Sequence, residues 1–352
     1  MKEYTNDAVT LLRELIAIPS ISRNEGKAAD KLAEYLNLWG LPFGREGNNL
    51  WVGCQDWDNQ RKTVMLNAHI DTVRPVSTWT RDPFSPTLEG DKLYGLGAND
   101  CGGGLMATLQ AYRIMLNRPR NYNILWVASA EEEVSGENGL TRVIPFLPPI
   151  DVAIVGEPTG MQPATAERGL MVIDGYAYGV SGHAARSEGV NAIYEALDDL
   201  LWLRDYQFRK KSELLGDTKL TVTVVESGTQ HNVIPDLLHF VIDVRTNEFY
   251  QNEYVFEFLR KKMKKCKLQA RSFRLHSSSI AADHPLVRRC LERGMKPFGS
   301  PTLSDQALMP WPSLKLGPGD SARSHAADEY IMIGEIDEAI NTYVSLLEGL
   351  QI

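Results

Sequence analysis

The sequence predicts an α/β protein in which a ferredoxin-like α+β unit is inserted into a larger α/β domain. Length is the first observation, because 352 residues exceed the size at which a single hydrophobic core usually stops growing. The second is an alternation of strand-like apolar runs with helix-like stretches in the first half of the chain. The third is a β-α-β-β-α-β order of elements between residues 169 and 280.

The larger domain begins with an amphipathic helix. Apolar residues recur at helical spacing from Ala8 to Ile16, and Pro19 follows where a helix would end. Three later apolar runs have the length of buried strands, and a helix-compatible stretch at 105–116 lies between two of them. These runs are residues 63–68, 123–130 and 151–155. Strands that alternate with helices favour a sheet that is largely parallel.

The inserted unit begins where the pattern changes, at about Gly169. Its predicted strands are residues 171–180, 219–225, 239–245 and 268–275, and its predicted helices are 191–204 and 253–265. Two more helices are predicted at 285–296 and 336–350. The larger domain is therefore expected to comprise residues 1–168 and 281–352, and the inserted unit residues 169–280.

Composition excludes several classes of function. A net charge of −8 and a pI near 5.5 disfavour a nucleic-acid surface, which needs clustered cations, and the basic run at 261–265 is typical of a solvated helix face. The four cysteines form no Cys-x-x-Cys pair, so we expect reduced thiols. Neither a signal-like N-terminus nor a run of about 18 apolar residues occurs, so we expect a cytoplasmic protein without membrane contact.

Possible metal ligands follow all three predicted strands of the larger domain. Because such sites lie beyond the carboxyl ends of strands, these side chains can converge. They are His69 with Asp71, the triplet Glu131-Glu132-Glu133, and Glu157. Asp100 lies in a glycine-rich segment, residues 95–104, just before a helix. That segment lacks the Gly-x-Gly-x-x-Gly spacing of a dinucleotide-binding loop, which disfavours a nucleotide cofactor.

Five segments, taken in order, resemble the signature blocks of the M20 metallopeptidases, a family that includes acetylornithine deacetylase, succinyl-diaminopimelate desuccinylase and carboxypeptidase G2. They are NAHID at 67–71, GLGANDCGGG at 95–104, AEEEVSG at 130–136, VGEPT at 155–159 and SHAADE at 324–329. The blocks span almost the whole chain. The resemblance implies a zinc-peptidase-like α/β catalytic domain, with the inserted unit as the lid or dimerisation domain.

The resemblance also implies roles for single residues. His69 and Glu157 would bind one zinc ion, His325 would bind the other, and Asp100 would bridge them. Glu133 would be a further ligand, and the peptide bond after Asp100 would be cis. Glu132 would be the general base, and Asp71 would orient His69. The family pattern at this triplet is Asp-Glu-Glu, so Glu131 departs from it.

These residue types suit the chemistry independently of the family. Zinc accepts imidazole nitrogen and carboxylate oxygen, and a catalytic site keeps a position open for water. A carboxylate two residues from His69 can fix its tautomer. Two ions about 3.5 to 4 Å apart lower the pKa of a shared water, whose proton Glu132 can accept.

Three residues of the inserted unit match further family positions. His183, in SGHAA at 181–185, matches a lid histidine that faces the partner subunit's zinc site. Asn232, in HNVIP at 231–235, and Arg245 match residues that position the substrate and its carboxylate. Arg168 and residues 317–319 are weaker candidates for the same pocket. The other four histidines, His231, His239, His276 and His284, lack a second ligand at usable spacing and are expected to be structural or exposed.

The resemblance favours a homodimeric deacylase, related to acetylornithine deacetylase, that removes an acetyl or succinyl group from an amino acid such as ornithine. Two zinc ions per chain are expected, with cobalt as an alternative. A di- or tripeptidase with the same zinc core is a second hypothesis, and a non-catalytic metal-binding protein is a third. The third is disfavoured because the base Glu132 accompanies a full set of ligands.

Overall fold

A computed structural model of the protein describes residues 2–352. The first of two compact units comprises the residues up to Thr165 together with Ser279–Phe298 and Ser304–Ile352, and the second comprises Ala166–Ser278 and Gly299–Leu303. Residues 299–303, which were expected in the larger domain, are thus grouped with the second unit. A Cβ atom at Gly299 would lie 2.4 Å from the carbonyl oxygen of Leu214, so this segment packs directly on the second unit's own backbone.

The regular elements are as follows. The helices are α1 (Lys2–Ile16), α2 (Gly26–Leu38), α3 (Gly103–Leu116), α4 (Leu140–Val143), α5 (Ala192–Asp205), α6 (Asn252–Lys262), α7 (Pro285–Glu292) and α8 (Ile333–Leu347). The strands are β1 (Gly44–Glu46), β2 (Asn49–Gly53), β3 (Thr63–His69), β4 (Thr87–Glu89), β5 (Lys92–Tyr94), β6 (Asn123–Ser129), β7 (Val152–Val155), β8 (Ala164–Glu167), β9 (Met171–Tyr178), β10 (Gly182–His183), β11 (Lys219–Ser227), β12 (Val233–Ile234), β13 (Leu237–Arg245), β14 (Lys267–Ala270), β15 (Ser278–Ser279), β16 (Phe298–Ser300), β17 (Ser313–Lys315) and β18 (Tyr330–Met332). No helix within residues 2–352 is both long enough and apolar enough to cross a membrane.

The main sheet of the first unit has the spatial order β1-β2-β6-β3-β7-β17-β8. Its four central strands, β6, β3, β7 and β17, are mutually parallel. The first three are the strands that the sequence predicts, and β17 was not predicted. The flanking strands β2 and β8 are antiparallel to their neighbours. Every residue of β3 and β6 is buried, which explains why both strands are continuous apolar runs rather than alternating ones.

The second unit is a four-stranded antiparallel sheet in the order β11-β13-β9-β14. Along the chain its elements run β9, α5, β11, β13, α6 and β14, which is the predicted β-α-β-β-α-β order. Apolar side chains of α5 and α6 pack with those of β9 and β13 in one buried cluster, which includes Ala196, Val255, Ile173 and Phe240. This unit therefore has a hydrophobic core of its own.

Helix α6 ends three residues earlier than predicted, within its basic run. The helix ends at Lys262, and Met263 has an extended backbone. The buried carboxylate of Asp199, on α5, accepts backbone N–H groups from the next three residues, Lys264, Lys265 and Cys266, at 2.9 to 3.1 Å. These bonds satisfy amides that would otherwise continue the helix, so the second half of the basic run is a turn.

Candidate active site

Three of the four central strands, β6, β3 and β7, bring the predicted ligands to one edge of the main sheet. β3 ends at His69, β6 ends two residues before Glu131, and β7 ends two residues before Glu157. Because β6, β3 and β7 are adjacent and parallel, their carboxyl ends meet at the same edge. The topology of the first unit therefore places one imidazole and several carboxylates together.

The two ring nitrogens of His69 have different surroundings. Nδ1 lies 2.9 Å from the carbonyl oxygen of Asp71 and 3.6 Å from its carboxylate. Nε2 faces three carboxylates, with Asp100 at 3.2 Å, Glu157 at 3.6 Å and Glu132 at 3.9 Å. One nitrogen is thus held in orientation while the other faces the carboxylate cluster, as metal-binding histidines require.

Asp71 is itself fixed by hydrogen bonds. Its carboxylate accepts the Ser22 hydroxyl at 2.6 Å and the backbone N–H groups of Glu132 and Glu133 at 3.0 and 3.2 Å. The same buried side chain therefore sets the orientation of His69 and the backbone position of the glutamate pair. Its contacts agree with the orienting role that the sequence predicts for it.

Asp100 lies between the two predicted histidines. Its Oδ1 atom is 3.2 Å from Nε2 of His69, and its Oδ2 atom is 3.6 Å from Nε2 of His325. His325 also approaches Glu133, whose Oε2 atom is 2.9 Å from the same nitrogen. The two oxygens of one carboxylate thus face two different imidazoles, which is the arrangement expected of a bridging ligand.

Glu329 holds the loop that carries Asp100, a role that the sequence analysis missed. Its buried carboxylate accepts backbone N–H groups from Gly97, Asn99 and Asp100 at 2.8 to 3.1 Å. The peptide bond after Asp100 is cis, as predicted. Burial raises the pKa of Glu329 to about 7. Its position at the end of the SHAADE segment was the available signal.

Glu131, the residue that departs from the family pattern, turns away from the centre. Its φ of +53° lies in the left-handed region, and its carboxylate accepts the Asn138 side-chain amide at 3.0 Å. Glu132 and Glu133 follow in a short 3-10 helix and face the histidines. The substitution at 131 therefore leaves the next two glutamates in the register that was predicted.

Two further buried groups adjoin the centre. Cys101 follows Asp100 in the chain, and its Sγ atom accepts the backbone N–H of His69 at 3.2 Å. Burial raises the pKa of this thiol far above its usual range, so the thiol stays protonated. Asp305 accepts the hydroxyl of Ser129, the last residue of β6, and burial raises the pKa of its carboxyl to about 6. Neither residue was a predicted site residue: Cys101 lies in the glycine-rich block but was interpreted only as a reduced thiol, and Asp305 lies outside all five blocks.

The charges at the centre favour a bound cation. Burial and repulsion from the Asp100 carboxylate raise the pKa of Glu157 to about 8. Burial and repulsion from the Glu157 carboxylate raise the pKa of Glu132 well above its usual range. One carboxylate oxygen each of Glu133 and Glu157 is buried without a hydrogen-bond partner within residues 2–352. His69, Asp100 and Glu133 offer ligand atoms within 4.8 Å of one another. These oxygen and nitrogen donors suit zinc and similar divalent ions.

Metal binding is expected to stabilise the first unit. Adding Zn²⁺ to chelator-treated protein, at a free concentration about 100 times Kd, should raise the free energy of unfolding by about 2.7 kcal/mol. Thermal unfolding with and without the ion measures the shift. His325→Ala should lose most of it, whereas His276→Ala, a variant in the second unit, should retain it. An equal shift in both variants would place the ion elsewhere.

The three predicted residues of the second unit do not form one group. His183, on β10, is exposed and pairs with Val233 of β12, and the Ala184 N–H donates to the Asn232 carbonyl at 3.0 Å. His183 and Asn232 are therefore neighbours. Arg245 ends β13, where its guanidinium pairs with Asp243 at 2.8 and 3.0 Å.

Arg245 lies far from the other two within this unit. In the pairing of β9 with β13, Tyr178 is opposite Leu237 and Met171 is opposite Val244. A strand rises about 3.3 Å per residue, so these two ends are about 23 Å apart. His183 lies beyond the Tyr178 end, and Arg245 lies at the other. Arg168, a weaker candidate, donates to the carbonyls of Leu215 and Asp217 and supports a loop.

Comparison with known proteins agrees with the predicted family and fold. The sequence profile of Peptidase family M20/M25/M40 matches residues 65–349. A succinyl-diaminopimelate desuccinylase of Buchnera aphidicola subsp. Cinara cedri (strain Cc) is 26% identical over 389 aligned residues, covering 99% of both chains.

Solved structures have the same fold at low sequence identity. Aminopeptidase PepT of Bacillus cereus ATCC 10987 superposes with a TM-score of 0.77 at 18% identity, covering 98% of each chain. A dinuclear metal-binding M20 peptidase of Bacillus subtilis superposes with a TM-score of 0.74 at 16% identity, covering 99% of this chain and 98% of that one. With the profile match extending over most of the chain, these findings show that the protein belongs to Peptidase family M20/M25/M40, a family of hydrolases.

Proposed function

We propose that the protein is a di-zinc hydrolase that removes an acetyl or succinyl group from an N-acylated amino acid such as ornithine. The observation that carries the proposal is the position of Asp100 between His69 and His325, with the half-buried Glu132 beside them. His69 and Glu157 would hold one ion, His325 and Glu133 the other, and Asp100 both; cobalt is an alternative to zinc. When bound, such a pair of ions polarises the scissile carbonyl and acidifies a shared water.

The chain's own residues supply the proton transfer. Glu132 accepts a proton as the water oxygen attacks the acyl carbon, and returns it to the nitrogen as the C–N bond breaks. The products are the free amino acid and the carboxylic acid of the acyl group. Asp71 holds the orientation of the His69 ring, because Nδ1 lies at the Asp71 carbonyl oxygen, so that Nε2 would be available to a metal ion.

A substrate panel tests this function. N-acetyl-ornithine, N-succinyl-ornithine and N-acetyl-citrulline are assayed beside dipeptides and tripeptides, each with added Zn²⁺ or Co²⁺. We expect kcat/KM for at least one acylated amino acid to exceed that of every peptide by at least about tenfold, a difference of 1.4 kcal/mol in transition-state binding. Faster cleavage of the peptides would replace this proposal with the second one.

That second candidate is a di- or tripeptidase with the same metal core. The structural likeness to an aminopeptidase favours it, whereas the likeness to a desuccinylase over 99% of both chains favours the deacylase. A non-catalytic metal-binding protein is the third candidate. The presence of Glu132 beside a full ligand set argues against that candidate, since metal storage alone needs no base.

We further propose that the protein acts as a homodimer formed through the second unit. Strand β11 is an edge strand with no buried residue along its nine residues. The neighbouring helix α5 exposes Tyr194, Leu197 and Leu201 by 71%, 43% and 46%. An open edge beside exposed apolar side chains is a surface that a second copy can cover. His183 would then serve the partner's site, and Asn232 and Arg245 would position the substrate and its carboxylate.

A further inference from the structure

A cleft of about 430 Å³ in the first unit adjoins the candidate metal centre. It is lined by two short segments, Ile21 to Asn24 and Thr72 to Arg74, and by Glu133 with Val134. Its charged lining residues are Arg23, Arg74 and Glu133. Glu133 is also a candidate metal ligand, so the cleft lies directly beside the candidate metal centre.

The backbone fixes the two arginines as a pair. Ile21 and Thr72 form a parallel bridge, and the Ser22 N–H donates to the Thr72 carbonyl at 3.1 Å. Arg23 and Arg74 each lie two residues after this bridge in sequence, and both line the same cleft. The Ser22 hydroxyl also donates to Asp71, which ties the arginine loop to the residue that orients His69.

Neither guanidinium is neutralised by the protein. Arg23 and Arg74 are both exposed, and neither forms a salt bridge or side-chain hydrogen bond within residues 2–352. Arg23 also occupies a costly position, the third residue of a turn closed by the Asn24 N–H and the Ile21 carbonyl at 2.8 Å. Its φ is +75°, a conformation that glycine or asparagine adopts more cheaply.

We propose that Arg23 and Arg74 bind a second carboxylate, carried on the acyl group, and so select a dicarboxylic acyl group such as succinyl over acetyl. The inference rests on the proposed deacylase function and names its acyl specificity. Guanidinium groups match the geometry of a carboxylate, and two unpaired ones beside a site favour an anionic substituent. The succinyl carboxylate lies two methylene groups beyond the scissile carbonyl, whereas an acetyl group offers these arginines nothing to bind.

Binding to an inactive enzyme tests the proposal without turnover. N-succinyl-ornithine and N-acetyl-ornithine are titrated calorimetrically into zinc-loaded Glu132→Gln protein, and into the same protein carrying Arg23→Asn and Arg74→Gln. Asparagine is chosen at 23 because it tolerates positive φ. We expect the parent to bind the succinyl compound at least about tenfold more tightly, and the arginine variant to bind the two within about twofold. Arg288→Gln, an exposed arginine on α7 outside the cleft, should leave the preference intact.

The outcomes separate this inference from the function on which it rests. A parent without the preference, a preference that survives both substitutions, or no binding of either compound would each overturn the arginine pair. If the preference depends on the arginines but wild-type enzyme hydrolyses neither compound, the deacylase proposal fails and the carboxylate site stands. If the double variant does not fold, Arg74→Gln alone should lower the ratio of succinyl to acetyl affinity by at least about threefold. An unchanged ratio in that variant would overturn the proposal.

Discussion

Glu132→Ala is expected to lower kcat by two to four orders of magnitude while the protein keeps its metal. Loss of a general base typically costs this much. Metal content should persist because Glu132 is the outermost of the carboxylates around His69, at 3.9 Å from Nε2, and the predicted ligands Asp100 and Glu157 are closer. Turnover and bound metal are measured on the same preparation, the first by product formation and the second by atomic emission.

Two variants in the same segment serve as controls. Glu133→Ala should lose metal, because its carboxylate lies 2.9 Å from Nε2 of His325. Glu137→Ala, at an exposed position four residues further on, should change neither quantity. If Glu132→Ala loses metal and Glu133→Ala retains it, then the roles of the two residues are the reverse of those proposed.

The strand ends explain how much of the site could be predicted from the sequence. A buried parallel strand is a continuous apolar run, and the first polar residue after it marks the edge where sites lie. His69 and Glu157 were found in this way. The bridge between the two histidines was not, because the position of the loop that carries Asp100 depends on Glu329, 229 residues away. Only the family resemblance indicated it.

The local sequence pattern did not predict the structure correctly where polar groups distant in sequence determine it. The end of α6 depends on Asp199, which lies more than 60 residues earlier and captures three backbone N–H groups. Helix α2 was missed although Ala28, Leu32 and Leu36 have helical spacing, because its other face is charged and its N-terminus has no side-chain cap. Arg23 and Arg74 carried no signal at all, since a lone exposed arginine is ordinary and only the Ile21–Thr72 bridge makes them a pair.

The positions of His183 and Arg245 give the homodimer its strongest physical argument. Both match substrate-binding positions of the family, yet within one second unit they lie at opposite ends of the β9–β13 pair. A substrate the size of an acylated amino acid is much shorter than the roughly 23 Å between those ends. Either one residue has another role, or two chains contribute one residue each to every site.

Mixing two inactive variants distinguishes these possibilities. His183→Ala should lower kcat by two to three orders of magnitude, the usual effect of losing one donor to the tetrahedral oxyanion. Its ring is exposed and its Nδ1 atom accepts the Ala185 N–H at 3.1 Å, which leaves Nε2 without a partner within residues 2–352. If His183 acts on the partner's site, a dimer of His183→Ala with Glu132→Ala has one site with both defects and one with neither.

Purified mixed dimers should therefore show about half of wild-type activity. If equal amounts of the two variants exchange at random, about half of the dimers are mixed, and the mixture should show about a quarter of wild-type activity. The control pairs Glu132→Ala with Glu133→Ala. Both changes lie in the first unit, so every site of that mixed dimer keeps a defect and no activity should return. Subunit exchange is followed independently with two affinity tags. If subunits exchange but no activity returns in the mixture of His183→Ala and Glu132→Ala, then His183 acts within its own chain or takes no part in catalysis. In the first case, the distance between His183 and Arg245 would exclude Arg245 from binding the same substrate.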